Sequence, residues 1–283
     1  MTGTANQADS PLLCVDDLVV EFRGGGLFSV GREKVHAVRG ISFVVGQGEA
    51  YGLVGESGSG KTTTGRCVLG LQAPTTGRIL LGSDDVAQLR RRDSGALHRR
   101  IQAVFQNPVA SLNPAMSVEE ILAEPLRRLL GIRDRPATRR RSKDLLDEVR
   151  LPSDMLDRRP TELSGGQAQR VSIARALAPE PSLIVLDEAV SALDVATQAQ
   201  VINLLADLRD ETGVSYLFIA HDLAVVRHLC DRIGVMSTGE IVEEGTASAI
   251  CHAPTDGYTQ RLLAAVPIPD PTVKRVRHDQ VSS

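Results

Sequence analysis

GESGSGKTT, residues 55–63, comes directly after Ala50-Tyr51-Gly52-Leu53-Val54. The preceding run reads as a buried strand, and Lys61 to Leu71 has helical character. Strand, glycine loop and helix, in that order, form the setting in which the pattern G-x-x-x-x-G-K-[ST] cradles phosphate. Glycines let the backbone wrap closely, so that N–H groups converge on an anion. The helix that follows adds its positive N-terminal end. Gly55, Glu56, Ser57, Gly58, Ser59, Gly60, Lys61, Thr62 and Thr63 are therefore the predicted phosphate contacts. Lys61 would neutralise β- and γ-phosphates, and Thr62 would offer its hydroxyl to Mg²⁺. A surface turn of merely small residues is the plain alternative, and the flanking strand and helix speak against it.

If the loop holds a nucleoside triphosphate, acids are expected nearby. Leu183-Ile184-Val185-Leu186-Asp187-Glu188 supplies them: four apolar residues of strand character, then two carboxylates at the C-terminal end. Ligands of open parallel sheets bind at that end. Asp187 is placed to reach the metal, and Glu188 to polarise an attacking water. A third stretch, Leu163-Ser164-Gly165-Gly166-Gln167, opens a helical region that runs to Ala178. Such a start is a second anion cradle, and equally a helix cap.

Bulk properties narrow the field. The chain has 283 residues, 42% hydrophobic and 24% charged, which is the composition of a folded protein. A formal charge of −3 speaks against a general affinity for nucleic acid. Arginines cluster at 90–92, 99–100 and 139–141, but acids lie near them and aromatics make up only 3%, so solvated helix faces are expected. The four cysteines are scattered and the histidines show no metal-ligand spacing. No apolar stretch is long enough to span a membrane, and MTGTANQADSP carries no signal-peptide core, so the chain is expected to stay in the cytoplasm. Apolar strands such as Leu183 to Leu186 and Tyr216 to Ile219, alternating with helices, predict an α/β fold with a mainly parallel sheet covered on both faces. A turn is expected at Gly24-Gly25-Gly26, and strand-like material at Val35 to Val45 broken by Gly40. Residues from about Val118 to Val149 read as helical, with the breakers Pro125, Gly131 and Pro136.

LSGGQ, ending twenty residues before Asp187, completes a set of motifs that resembles the ATPase subunits of ABC transporters from about Leu12 to Pro271. The resemblance implies a P-loop NTPase core, an N-terminal antiparallel β subdomain and an inserted helical subdomain at about 108–163. The ATPase domain would span 12–266, with a flexible tail at 1–11 and a C-terminal extension at 267–283. It implies ATP and Mg²⁺ as cofactors, with Thr62, Gln106 and Asp187 around the metal. Gln106, in Val104-Phe105-Gln106-Asn107-Pro108, is similar to the family's Q-loop glutamine. Asp194, in Ser191-Ala192-Leu193-Asp194, is similar to its D-loop acid, and His221 to its switch histidine. Glu188, His221 and Gln106 would carry catalysis. Ser164, Gly165, Gly166 and Gln167 would meet the γ-phosphate held by a partner subunit. An aromatic that stacks on adenine is expected at Phe22, with Phe28 and His36 nearby.

Wording around the motifs is similar to the oligopeptide/dipeptide importer branch, which also holds nickel and glutathione systems. It includes Ala110-Ser111-Leu112-Asn113-Pro114, Glu124-Pro125-Leu126, His221-Asp222-Leu223-Ala224-Val225-Val226 and Tyr258-Thr259-Gln260-Arg261-Leu262-Leu263. Some relatives hold a cluster through cysteines in the C-terminal extension; in this chain Cys251 stands alone ahead of it, so none is expected. The resemblance implies a second ATPase chain, related or identical, two membrane permeases, and indirectly a solute-binding protein. It places the subunit peripherally on the cytoplasmic face of the membrane, without nucleic acid. An ABC exporter ATPase, or a nickel or glutathione importer subunit, is the alternative.

Overall fold

A computed structural model describes residues 11–23 and 34–265 of the chain. The expected tails at 1–11 and 267–283, apart from Pro11, and the Gly24-Gly25-Gly26 turn and Phe28 lie outside the described residues. Among the described residues ten strands form two sheets: β1 (Leu13–Arg23), β2 (Lys34–Val45), β3 (Ala50–Val54), β4 (Thr76–Leu81), β5 (Asp84–Asp85), β6 (Ile101–Phe105), β7 (Leu183–Asp187), β8 (Ser215–Ala220), β9 (Arg232–Ser237) and β10 (Glu240–Thr246). The larger sheet has the order β10-β9-β3-β8-β7-β6, parallel from β9 to β6, with β10 antiparallel at the edge. The smaller, in the order β2-β1-β4-β5, is antiparallel.

The apolar strands explain why the larger sheet is covered twice. Ile184, Leu186, Tyr216 and Phe218 belong to one buried cluster, while Leu183, Val185, Leu217 and Ile219 belong to another. Successive side chains point to opposite faces, so a strand apolar at every position can satisfy two cores at once. The second cluster continues into Leu13, Val15 and Leu18 of β1, which seats the antiparallel sheet on that face. Each such side chain contributes about 1.5–3 kcal/mol on burial. Gly40 does not break β2 as its sequence suggests. With φ of 83° it lies inside the strand, and the β1–β2 register shifts around Leu18, so a bulge absorbs the irregularity.

Between β6 and Ser164 the chain is helical. Helices Pro108–Ser111, Val118–Leu129 and Arg135–Glu148 lie there. The stretch 118–149 is thus two helices. Gly131, at φ 71°, turns the chain between them, and Pro136 sits in the first turn of the second, where its missing N–H costs nothing. Pro125 lies within the first helix rather than ending it. Ser117 and Glu120 form a reciprocal capping box that fixes the start of this helix. Ile121, Leu122, Leu126, Leu145 and Leu146 pack in the same cluster as Val171 and Ala174 of helix Gly165–Leu177. Each arginine cluster has ion pairs with nearby acids: Arg92 and Arg100 with Asp84, Arg139 with Glu119 and Asp157, Arg141 with Glu148 and Glu180.

Candidate active site

The loop 55–60 joins β3 to the helix Lys61–Val68. Its glycines are required by close backbone approach. A Cβ on Gly55 would lie 2.0 Å from the Met236 carbonyl oxygen, and one on Gly60 2.3 Å from that of Ala37. Gly60 also has φ of 106°, where a side chain is strained. Lys61 curls back over the loop: its Nζ donates to Gly55 O and Glu56 O at 2.7 Å each and to Ser59 Oγ at 3.3 Å. Burial pushes the ammonium below the ordinary lysine value, while the Glu188, Asp187 and Glu56 carboxylates pull it back up.

At the C-terminal edge of the same sheet, Thr62 Oγ1 donates to Asp187 Oδ1 at 3.2 Å. Burial holds the Asp187 carboxyl above the usual aspartate range, the Thr62 hydrogen bond lowers it, and neighbouring Glu188 raises it again. In the β6–β7 register Phe105 pairs with Asp187, so Gln106 is exposed one residue beyond that level. Thr62, Gln106 and Asp187 are all oxygen donors, the hard set that suits Mg²⁺. The Thr62–Asp187 contact shows that two of them already converge.

Glu188 has the left-handed φ of 50°. Its N–H donates to Ile219 O at 2.9 Å, and its carbonyl accepts from Ser191 N and Oγ at 3.1 and 3.0 Å. Bonds on both sides of the residue hold this unfavourable backbone in place. Its side chain is only 24% exposed, with Oε2 3.9 Å from Nδ1 of the more exposed His221. A cavity of about 50 Å³ beside them, lined also by Ser191, Gln198 and Asp222, has room for a water.

Ser164, Gly165, Gly166, Gln167 and Asp194 form a second group. Gln167 Oε1 accepts from Ser164 N at 2.9 Å, and Ser164 Oγ from Gln167 N at 3.3 Å, capping helix Gly165–Leu177. Ser164 and Gly165 are exposed. Asp194 caps helix Val195–Thr212, accepting from Thr197 N and Oγ1, and these bonds hold its carboxyl below the usual range. Gly166 abuts Thr197, which ties the two caps together. Among the described residues, no hydrogen bond or ion pair joins this group to the phosphate-loop group. Phe22 is 42% exposed near the end of β1, not in the core, and His36 pairs with Glu21 at 3.4 Å.

Two contacts on the loop carry no signal in the sequence. The turn between β9 and β10 donates Gly239 N–H to Ser59 O at 3.0 Å, and Tyr258 Oη accepts from Glu56 N–H at 2.9 Å. The alternation of β10 between exposed and half-buried positions hides it from a hydrophobicity pattern.

Comparison with known proteins agrees with this geometry. The family described as "ABC transporter" matches residues 38–191. The chain is 47% identical over 255 residues to the oligopeptide transport ATP-binding protein OppF of Streptococcus mutans serotype c, covering 90% of this chain and 83% of that protein. It is 45% identical over 273 residues to OppF of Salmonella typhimurium, covering 95% and 82% respectively. The ATP-binding cassette MJ0796, solved as a dimer in a post-hydrolysis state with ADP and Pi, superposes with a TM-score of 0.73 at 28% identity over 83% of this chain and 98% of that one. CbiO1 of Clostridium perfringens, part of the complex cbiONQ, superposes with the same score at 27% identity over 86% and 91%. The α/β core, the antiparallel N-terminal sheet and the helical insertion are those of an ATP-binding cassette, and the chain belongs to the ABC transporter family.

Proposed function

We propose that this chain is the ATP-hydrolysing subunit of an ABC importer that takes up oligopeptides or dipeptides through separate membrane permeases. The observation that carries the hydrolytic part is the meeting of Lys61, Thr62, Asp187, Glu188 and His221 at one sheet edge. The peptide part rests on the two relatives named for oligopeptide transport.

Thr62, Asp187 and Gln106 would hold Mg²⁺, which when bound neutralises charge on the phosphate oxygens. Lys61 exchanges its loop carbonyl partners for phosphate oxygens, and the loop amides orient them. Glu188 accepts a proton from the attacking water, with His221 beside it to orient the reacting group. Ser164, Gly165, Gly166 and Gln167 close on the γ-phosphate held by a second ATPase chain, a relative or another copy. Asp194 sits at the same junction, and Phe22 stacks on the base.

A groove of about 490 Å³ opens between Phe105 of β6 and the helices Val118–Leu129 and Gly165–Leu177, with Leu71, Pro125, Arg128 and Arg175 on its walls. Its wall includes Phe105, the residue before Gln106 in the chain, so a permease segment seated there would sense the metal site. Among the described residues no helix is long and apolar enough to cross a membrane. With separate permeases crossing the membrane, the proposed subunit works peripherally on the cytoplasmic face, and a solute-binding protein acts on the other side.

The test is uptake of labelled oligopeptide by vesicles carrying the assembled transporter with this subunit either wild type or Glu188→Gln. ATP-dependent uptake that disappears in the variant is the expected result. Export of peptide, or uptake of nickel or glutathione alone, would refute the importer assignment.

A further inference from the structure

Tyr258 has no part in the chemistry above. It lies 202 residues from Glu56 in sequence, in the first turn of helix Gly257–Ala264, yet its hydroxyl accepts the Glu56 backbone N–H at 2.9 Å. The carbonyl of the same residue accepts from Lys61 Nζ at 2.7 Å. Glu56 is thus held on one side by the C-terminal helix and on the other by the lysine that faces the phosphates.

The helix is itself firmly anchored. Asp256 caps it, with Oδ1 accepting from Tyr258 N at 2.7 Å and Thr259 N at 3.3 Å. Glu243 of β10 accepts from Thr255 N, Thr255 Oγ1 and Asp256 N at 2.7, 2.8 and 3.2 Å. β10 continues from the turn whose Gly239 N–H bonds Ser59 O. One stretch, from that turn to Tyr258, therefore grips the glycine loop at both Ser59 and Glu56. The Tyr258 ring packs against the main apolar cluster, so the hydroxyl is delivered from a fixed base.

We propose that Tyr258 is a positioning residue for ATP: through Glu56 its hydroxyl fixes the glycine loop and Lys61, and makes the C-terminal helix part of the nucleotide site. This rests on the reading of residues 55–63 as the phosphate cradle. Glu56 is exposed, so water can replace the hydroxyl, and the expected effect is that of one neutral hydrogen bond, about two- to ten-fold in affinity.

The test uses the full-length chain with Tyr258→Phe, which keeps the ring and removes only the acceptor. Calorimetric titration with ATP-Mg²⁺ is expected to show a Kd raised about two- to ten-fold. Amide hydrogen exchange is expected to speed up at Glu56, while the nucleotide-free thermal midpoint stays within about 2 °C of wild type. Because the lost bond acts on binding rather than on Glu188, KM for ATP should rise with kcat little changed. Wild-type affinity in the variant overturns the proposal, whether or not Glu56 exchange changes. So does weakened binding with Glu56 exchange unchanged, since that marks a general loss of packing. Wild-type chain that itself ignores ATP, as a Lys61→Ala control should, overturns the phosphate-loop reading and this inference with it.

Discussion

Glu188 and Asp187 are neighbours with opposite demands. Glu188 is aimed by a left-handed backbone toward His221 and a water-sized cavity, whereas Asp187 points at Thr62 from the half-buried end of β7. Replacing Glu188 by Gln should leave ATP binding intact and cut hydrolysis at least about 10²-fold, read as phosphate release. Asp187 offers a different check. Its folded carboxyl titrates above the unfolded one, so the folded state binds more protons between the two values, and stability falls as pH rises through that window. Asp187→Asn should therefore raise the nucleotide-free thermal midpoint at neutral pH while reducing ATPase activity, with the stability gain vanishing in acid. Gly55→Ala should lose ATP binding, because the Met236 carbonyl stands where the new methyl must go.

At the level of elements, helix Gly165–Leu177 carries two roles on one residue. Ser164 caps it with an exposed side chain, and in the proposed function the same hydroxyl meets a partner's phosphate. The roles separate by charge. Ser164→Ala should cost about 1 kcal/mol through the lost cap, whereas Ser164→Asp keeps a good cap yet repels phosphate. Ser164→Asp is thus expected to retain the wild-type denaturation midpoint and lose ATP turnover. The strands β3, β7 and β8 were readable in the sequence because parallel strands buried on both faces are continuously apolar. So was the glycine loop, whose spacing reflects real close approaches at Gly55 and Gly60. β10 was not, since its half-buried edge carries Glu240, Glu243 and Glu244. Gly40 misled in the other direction: local punctuation lost to sheet pairing, which tolerates a bulge. Tyr258 was legible only as part of a C-terminal phrase, because a contact 202 residues long has no local pattern.

For the whole molecule, the arrangement is an incomplete machine. The glycine loop, the Asp187–Glu188 strand end and His221 converge, while Ser164 and Asp194 form their own exposed group. On the proposed function, a second ATPase chain would close the site, and a permease seated beside Phe105 would couple it to the membrane. Sedimentation of the Glu188→Gln subunit with ATP-Mg²⁺, alone and with the second ATPase chain of its transporter, reports on this directly. A nucleotide-dependent dimer, abolished when Ser164→Asp is introduced into both ATPase chains at their equivalent positions, is the result expected. A subunit that binds ATP fully yet stays monomeric in both mixtures would contradict the shared site.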